Sequence, residues 1–186
     1  MMKRSFCKLL IRISGWKVVG SKVEDNKCII IGAPHTSLWD FVIGWVGYNT
    51  LGKNPNVMIR SEFFVFPLGP IIRWMGALPL DRKKGSNSLK QIVKTFNERD
   101  SLQLALTPEG TRKATTQWKG GFHAIARLAK VPVYIGYFDF QKKELRFDIP
   151  FEITKDVNND LERIKKWYHD QGVVGYHPDQ FITGYE

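Results

Sequence analysis

Two short stretches of this 186-residue chain carry side chains that could do chemistry together. The first is His35-Thr36-Ser37-Leu38-Trp39-Asp40, a histidine and an aspartate with four residues between them. An imidazole beside a carboxylate is a general base. The carboxylate fixes the ring's tautomer and stabilises the imidazolium that forms when the ring takes a proton. Within one helix, residues five apart point about 140° away from each other. The two groups therefore meet only if His35 sits on the loop before the helix. The local sequence provides for that, because Ser37 as N-cap with Asp40 at N3 is capping-box spacing. The helix N-terminus opposes an imidazolium and the carboxylate favours it. The same residues also fit a plain helix cap with no catalytic role.

The second stretch is Thr107-Pro108-Glu109-Gly110-Thr111-Arg112, after the apolar run Leu102–Leu106. Gly110 permits a tight turn, and Thr111 and Arg112 supply donors for an oxyanion or phosphate. Lys113, Lys119 and the Gly120-Gly121 pair add positive charge and exposed N–H groups. The alternative is a polar strand-to-helix loop holding a structural ion pair. A third stretch, Gly76 through Lys84, is a strand emerging into a basic loop that contains Arg82. It fits either a phosphate site or a solvated turn. His123, His169 and His177 have no partners at metal-ligand spacing and are assigned to surface or packing roles. Ser37 beside His35 is read as a cap, not a nucleophile.

The elements that must position these residues alternate. Cys28–Ile31, Val57–Ile59, Ala77–Leu80, Leu102–Leu106, Val133–Phe138 and Leu145–Ile149 read as strands. Leu38–Leu51, Pro67–Met75, Ser86–Arg99, Phe122–Ala129 and Asn159–His169 read as helices. Strands alternating with helices predict a single α/β domain with a central mixed, mostly parallel sheet flanked by helices. In such sheets ligands sit beyond the carboxyl ends of the strands, where both motifs fall. Trp39, Phe41, Trp45 and Tyr48 make the second helix aromatic, as core packing or as the wall of an apolar groove. Phe63, Phe64 and Phe66 are read as core or as lipid contacts.

Composition bounds the function classes. Lys plus Arg number 28 against 18 Asp plus Glu, so the net charge is +10. That balance favours polyanions such as an anionic membrane or phosphorylated substrates. No helix-turn-helix, zinc-finger or RNA-binding signature points to nucleic acid. The longest charge-free stretches are only twelve residues, as in Phe41–Gly52, so no membrane-spanning helix is expected. Cys7 and Cys28 are the only cysteines, too few for a disulfide scaffold or a Cys-based zinc site. A cytoplasmic setting is expected.

Residues 1–22 hold six basic residues (Lys3, Arg4, Lys8, Arg12, Lys17 and Lys22) and no acidic ones. Lys8 and Arg12 break what otherwise starts like a signal peptide. On a helical wheel Met2, Phe6, Leu9, Leu10, Ile13 and Trp16 share one arc, and Arg4, Lys8 and Arg12 another. Two readings fit: a helix lying in an anionic membrane interface, or one docked on its own domain with a solvated basic face. The organisation expected is this helix (1–22) followed by one catalytic domain (23–186).

Taken in order, the motifs resemble the glycerolipid acyltransferases of the lysophosphatidic acid acyltransferase (PlsC-like) type. His35 and Asp40 match the family's H-x4-D. Arg60-Ser61-Glu62-Phe63, Pro67-Leu68-Gly69 and Gly76 through Arg82 are similar to its second block. Glu109-Gly110-Thr111-Arg112 matches its E-G-T-R without a change. Trp118 through Phe122 and Val131-Pro132-Val133 resemble the blocks that follow, so the likeness covers residues 28 to 138. Pro34 stands where the family usually has Asn and Arg60 where it has Lys, and a second proline of the last block is missing near Gly136. The hydrophobic N-terminal segment of many members is reduced here to the basic amphipathic stretch.

The resemblance implies acyl transfer from acyl-CoA or acyl-carrier protein to a lysophospholipid hydroxyl, with 1-acyl-glycerol 3-phosphate first among acceptors. It implies His35 as general base, Asp40 as its orienter, and Arg82, Glu109, Gly110, Thr111 and Arg112 as the acceptor and phosphate site. No covalent acyl-enzyme, metal or redox cofactor is implied. The basic N-terminus and loops would hold such an enzyme at the inner, anionic face of a membrane. The rival readings are an acyl-thioester hydrolase that uses water and a non-enzymatic basic membrane-binding module.

Overall fold

The computed structural model of the chain describes residues 2–80 and 86–185. Asp81, Arg82, Lys83 and Lys84 of the third stretch lie outside the described residues. Among the described residues, strands β1 (Lys17–Val18), β2 (Lys27–Ala33), β3 (Asn56–Arg60), β4 (Ala77–Leu80), β5 (Leu102–Leu106), β6 (Val133–Asp139) and β7 (Glu144–Phe151) form one sheet. Its order is β1-β7-β6-β2-β5-β3-β4. Every neighbouring pair is parallel except β6 with β7. That pair is joined by a short turn, which only antiparallel strands allow. In the turn Asp139 Oδ1 accepts from the N–H groups of Gln141 and Lys142. The expected mostly parallel α/β domain is what the chain forms.

Among the described residues, six α-helices cover the two faces: α1 (Met2–Ser14), α2 (Leu38–Thr50), α3 (Leu68–Trp74), α4 (Ser86–Glu98), α5 (Gly121–Ala129) and α6 (Val157–Gln171). The central strand β2 shows why both faces are needed. Ile29 and Ile31 point to one side, with Phe96, Leu104, Phe122 and Ile164. Cys28 and Ile30 point to the other, with Cys7, Trp16, Trp45 and Phe147. A strand buried on both faces reads as a continuous apolar run, as Cys28-Ile29-Ile30-Ile31 does. Each buried side chain of this size stabilises the fold by about 1.5–3 kcal/mol.

The expected strands and helices are all present, with ends moved by a few residues. β1 is the addition. Two residues carry no periodicity, and this strand exists because Lys17 and Val19 donate their N–H groups to Lys143 and Leu145 O, both at 2.8 Å. Helix α2, which opens on the first motif, is set down close on the sheet. A Cβ at Gly47 would stand 2.4 Å from Leu145 Cδ1, and one at Gly44 2.7 Å from the Phe138 ring.

The aromatic residues divide. Trp45 and Tyr48 are core, with Trp45 Nε1 donating to Met75 O at 2.7 Å and the Tyr48 hydroxyl to Gln103 Oε1 at 2.8 Å. Trp39, Phe63 and Phe66 are exposed, Phe66 at 88%. Helix α1 docks on α2 through a narrow strip, Cys7 and Ile11. Its apolar arc is split: Leu10 is half-buried against the docked side and Trp16, just past the helix, is buried, while three other members point outward. Phe6 and Leu9 are 56% exposed and Ile13 71%. Lys3 Nζ fastens the helix further. It stands 4.6 Å and 4.7 Å from the centroids of Trp45 and Trp74 and donates to Asn54 Oδ1 at 2.9 Å.

Candidate active site

Strands β2 and β5 are parallel neighbours, with Ile31 opposite Leu106. His35 lies four residues beyond Ile31, and Glu109 three beyond Leu106. Both motifs therefore leave the sheet at the same end and side by side. The structure joins them directly: Glu109 Oε1 accepts from the His35 backbone N–H at 2.9 Å.

Ser37 is the N-cap of α2 and Asp40 its N3 residue, and both halves of the capping box form. Asp40 Oδ2 accepts from the N–H groups of Thr36 (2.7 Å) and Ser37 (2.8 Å). The same oxygen lies 3.2 Å from His35 Nδ1. That contact is close but is not an aligned hydrogen bond, since Nδ1 has no hydrogen-bond partner of good geometry. The helix-cap and catalytic readings of Asp40 are thus compatible in one side chain. Asp40 is 1% exposed and the His35 side chain 22%. With Nδ1 turned to Asp40, Nε2 is the nitrogen left for a bound hydroxyl.

Glu109 is buried, and its Oε2 has no partner. Burial pushes its carboxyl up to about 8. The His35 N–H opposes that rise and nearby Asp40 adds to it. A buried carboxyl so placed holds the loop that carries His35. Gly110 makes the turn that follows, at φ +66° with its N–H donating to Thr107 O. This left-handed backbone suits glycine. Thr111 and Arg112 then emerge on the surface, and Thr111 Oγ1 accepts from Lys113 N.

A cleft of about 610 Å³ opens here. Thr111, Arg112 and Lys113 line one side, and Thr36, Ser37 and Trp39 another. His35 adjoins this lining through Thr36 and Ser37. The donors at its rim suit an anion. Among the described residues no three His, Cys, Asp or Glu side chains gather as a metal site would require. The structure thus brings together His35, Asp40 and Glu109, and sets Thr111 and Arg112 at the adjoining cleft, with Gly110 in the turn before them. Arg82 lies outside the described residues.

A second histidine–aspartate pair, His123 Nε2 and Asp160 Oδ2 at 3.3 Å, is closed off. His123 Nε2 also contacts Thr154 O at 3.0 Å. Asp160 Oδ2 accepts from Thr154 N and Oδ1 from Arg163. This pair ties α5 to α6, and both side chains are buried.

The residues that sequence reasoning missed come from the end of the chain. His177 and Gln180 complete the lining of the cleft, and the His177 N–H donates to Thr36 Oγ1 at 3.1 Å. No motif announces them, because their position depends on the path of the chain after α6. Gly175 was the one local signal. It is buried, and a Cβ there would stand 3.0 Å from both Pro34 Cβ and Thr36 Oγ1.

Comparison with known proteins shows the family and the fold. The sequence model of the family described as acyltransferase matches residues 16–135. The chain is 32% identical over 177 residues to a protein of Streptococcus pneumoniae (strain ATCC BAA-255 / R6) named 1-acyl-sn-glycerol-3-phosphate acyltransferase. The match covers 80% of this chain and 66% of that relative, so the chain spans just under two thirds of the relative's length. The fold is similar to the crystal structure of PlsC, the 1-acyl-sn-glycerophosphate (LPA) acyltransferase of Thermotoga maritima. The TM-score is 0.63 over 92% of this chain and 78% of that one, at 19% identity.

Proposed function

This chain belongs to the acyltransferase family, and on that premise we propose that it moves a fatty acyl group from an acyl thioester to the hydroxyl of a lysophospholipid, 1-acyl-glycerol 3-phosphate first among acceptors. The observation that carries this reading is the His35–Asp40 pair, held at the carboxyl end of β2 by Glu109 beside a cleft rimmed by Arg112. The donor is acyl-CoA or acyl-carrier protein.

His35 Nε2 accepts the proton of the acceptor hydroxyl as its oxygen attacks the thioester carbonyl carbon. Asp40 holds the ring and balances the imidazolium. The tetrahedral intermediate collapses with cleavage of the C–S bond, and the imidazolium returns its proton to the departing thiolate. A thioester is already activated, so a base and good positioning supply much of the acceleration. No serine or cysteine nucleophile and no metal or redox cofactor takes part. Arg112, with Thr111, holds the acceptor's phosphate, and Arg82 is assigned to the same task on its motif.

The protein works at an anionic membrane face on the cytoplasmic side. Two features support this: the exposed Phe6, Leu9 and Ile13 arc, and the basic residues Lys8 and Arg12 beside it. No helix of the described residues is long and apolar enough to cross a membrane. Lipid contact extends to α3 and the segment before it, where Val65, Phe66, Ile71 and Trp74 are exposed.

The test offers purified protein long-chain acyl-CoA or acyl-carrier protein with a panel of lysolipids led by lysophosphatidate. Mass spectrometry detects acylated lipid while thiol release is followed alongside. Diacyl product from the wild type supports the reading and names the acceptor. Thiol release without acylated lipid points to a hydrolase. Neither signal from folded protein with both donors leaves the binding module.

A further inference from the structure

The cleft beside His35 is completed by a segment that none of the family motifs contains. After α6, Val174 O accepts from Phe140 N at 2.8 Å, and Gly175 lies against Pro34 and Thr36. Beyond, Phe181 packs on Trp118 and Tyr168, and Ile182 O accepts from Trp118 Nε1 at 3.3 Å. The segment is therefore anchored on both sides of a short stretch. Within that stretch the His177 backbone N–H is tied to Thr36 Oγ1, while the His177 side chain is exposed and Gln180 half-buried. Both side chains line the cleft that Thr111, Arg112 and Lys113 line as well. No carboxylate is among its lining residues. A guanidinium, an ammonium, an imidazole and an amide around one opening are donors suited to a phosphate monoester.

We propose that residues 173–181 form a wall of the acceptor site, with His177 contacting the lysolipid's phosphate alongside Arg112. This rests on the acyl-transfer reading above. The segment's contact with Thr36 gives the assignment its direction. Thr36 is the neighbour of His35 and donates to Asp40, so a headgroup held by His177 is held beside the base. A phosphate monoester also occurs on the acyl-CoA donor, and the test separates the two sources.

The KM for lysophosphatidate and for acyl-CoA is measured in turn, each with the other substrate saturating, for wild type, H177A and H177Q. Transfer to 1-monoacylglycerol, which has no phosphate, is measured beside them. The expected result is an acceptor KM raised about tenfold in H177A, with kcat and the acyl-CoA KM within about twofold of wild type. H177Q, which keeps a donor, recovers part of the loss, and transfer to monoacylglycerol is unchanged. A rise in the acyl-CoA KM instead overturns the proposal, because His177 then meets the donor's phosphate. Unchanged constants with normal wild-type transfer overturn this inference alone. No transfer by the wild type to any acceptor overturns the functional reading and this inference with it.

Discussion

Glu109 holds His35 by the backbone, its Oε1 standing 2.9 Å from the His35 nitrogen. The carboxyl does so from a buried position that raises its pKa from the ordinary 4.5 to about 8. The folded protein therefore keeps a proton on Glu109 that the unfolded chain gives up at lower pH. Stability from this group is full below about 4.5 and is lost as pH rises through about 8.

Glu109→Gln keeps an acceptor for the His35 N–H and removes the titration. Chemical denaturation at pH 6 and pH 9 is expected to show wild type losing stability between the two and E109Q losing less. Glu109→Ala leaves the N–H unpaired and is expected to destabilise by about 1–3 kcal/mol. An equal pH response in wild type and E109Q would contradict the assignment.

Asp40 serves both as the N3 residue of a capping box and as the carboxylate beside His35. Asp40→Asn separates the two roles, since an amide oxygen still accepts from Thr36 and Ser37 while the charge is gone. Thermal melting is expected to change little, and kcat to fall by about a thousandfold or more. Asp40→Ala adds the loss of a cap, about 1 kcal/mol.

Gly175 fixes how closely the last segment approaches the His35 loop. A β-branched side chain there meets Pro34 and Thr36 at 3.0 Å. Gly175→Val is expected to destabilise by about 1–3 kcal/mol, as overpacking does. It should also raise the acceptor KM by moving His177 off Thr36, measured by steady-state kinetics beside thermal melting.

Phe6, Leu9 and Ile13 contribute little to the core, so their replacement by serine should leave the melting temperature nearly unchanged. Flotation with phosphatidylglycerol-containing vesicles is expected to fall sharply in the triple variant. K8E/R12E is expected to bind such vesicles weakly, and wild-type binding to weaken as salt rises. Equal binding of the wild type to purely zwitterionic vesicles would contradict the electrostatic part.

The core of the site was legible because its parts are local. Ser37 and Asp40 cap a helix that begins where they stand, and β2 and β5 end where the two motifs begin. Pairing β2 with β5 then brings Glu109 to His35. Other features depend on distant chain. The arc of Phe6, Leu9 and Ile13 was visible on a wheel, but only α2 decides that Cys7 and Ile11 are the docked strip. Glu109 was grouped with the phosphate-holding residues, whereas its carboxyl is turned inward to a backbone N–H. His177 carried no signal, since its place beside Thr36 depends on where α6 ends and how the chain returns.

The most direct measurement is the rate of thiol release coupled to diacyl product for H35A against wild type, with lysophosphatidate and acyl-CoA both saturating. With His35 as the general base, H35A is expected to fold and melt as wild type does and to turn over roughly 100- to 10,000-fold more slowly. Folded H35A working within about twofold of wild type would contradict His35 as the base.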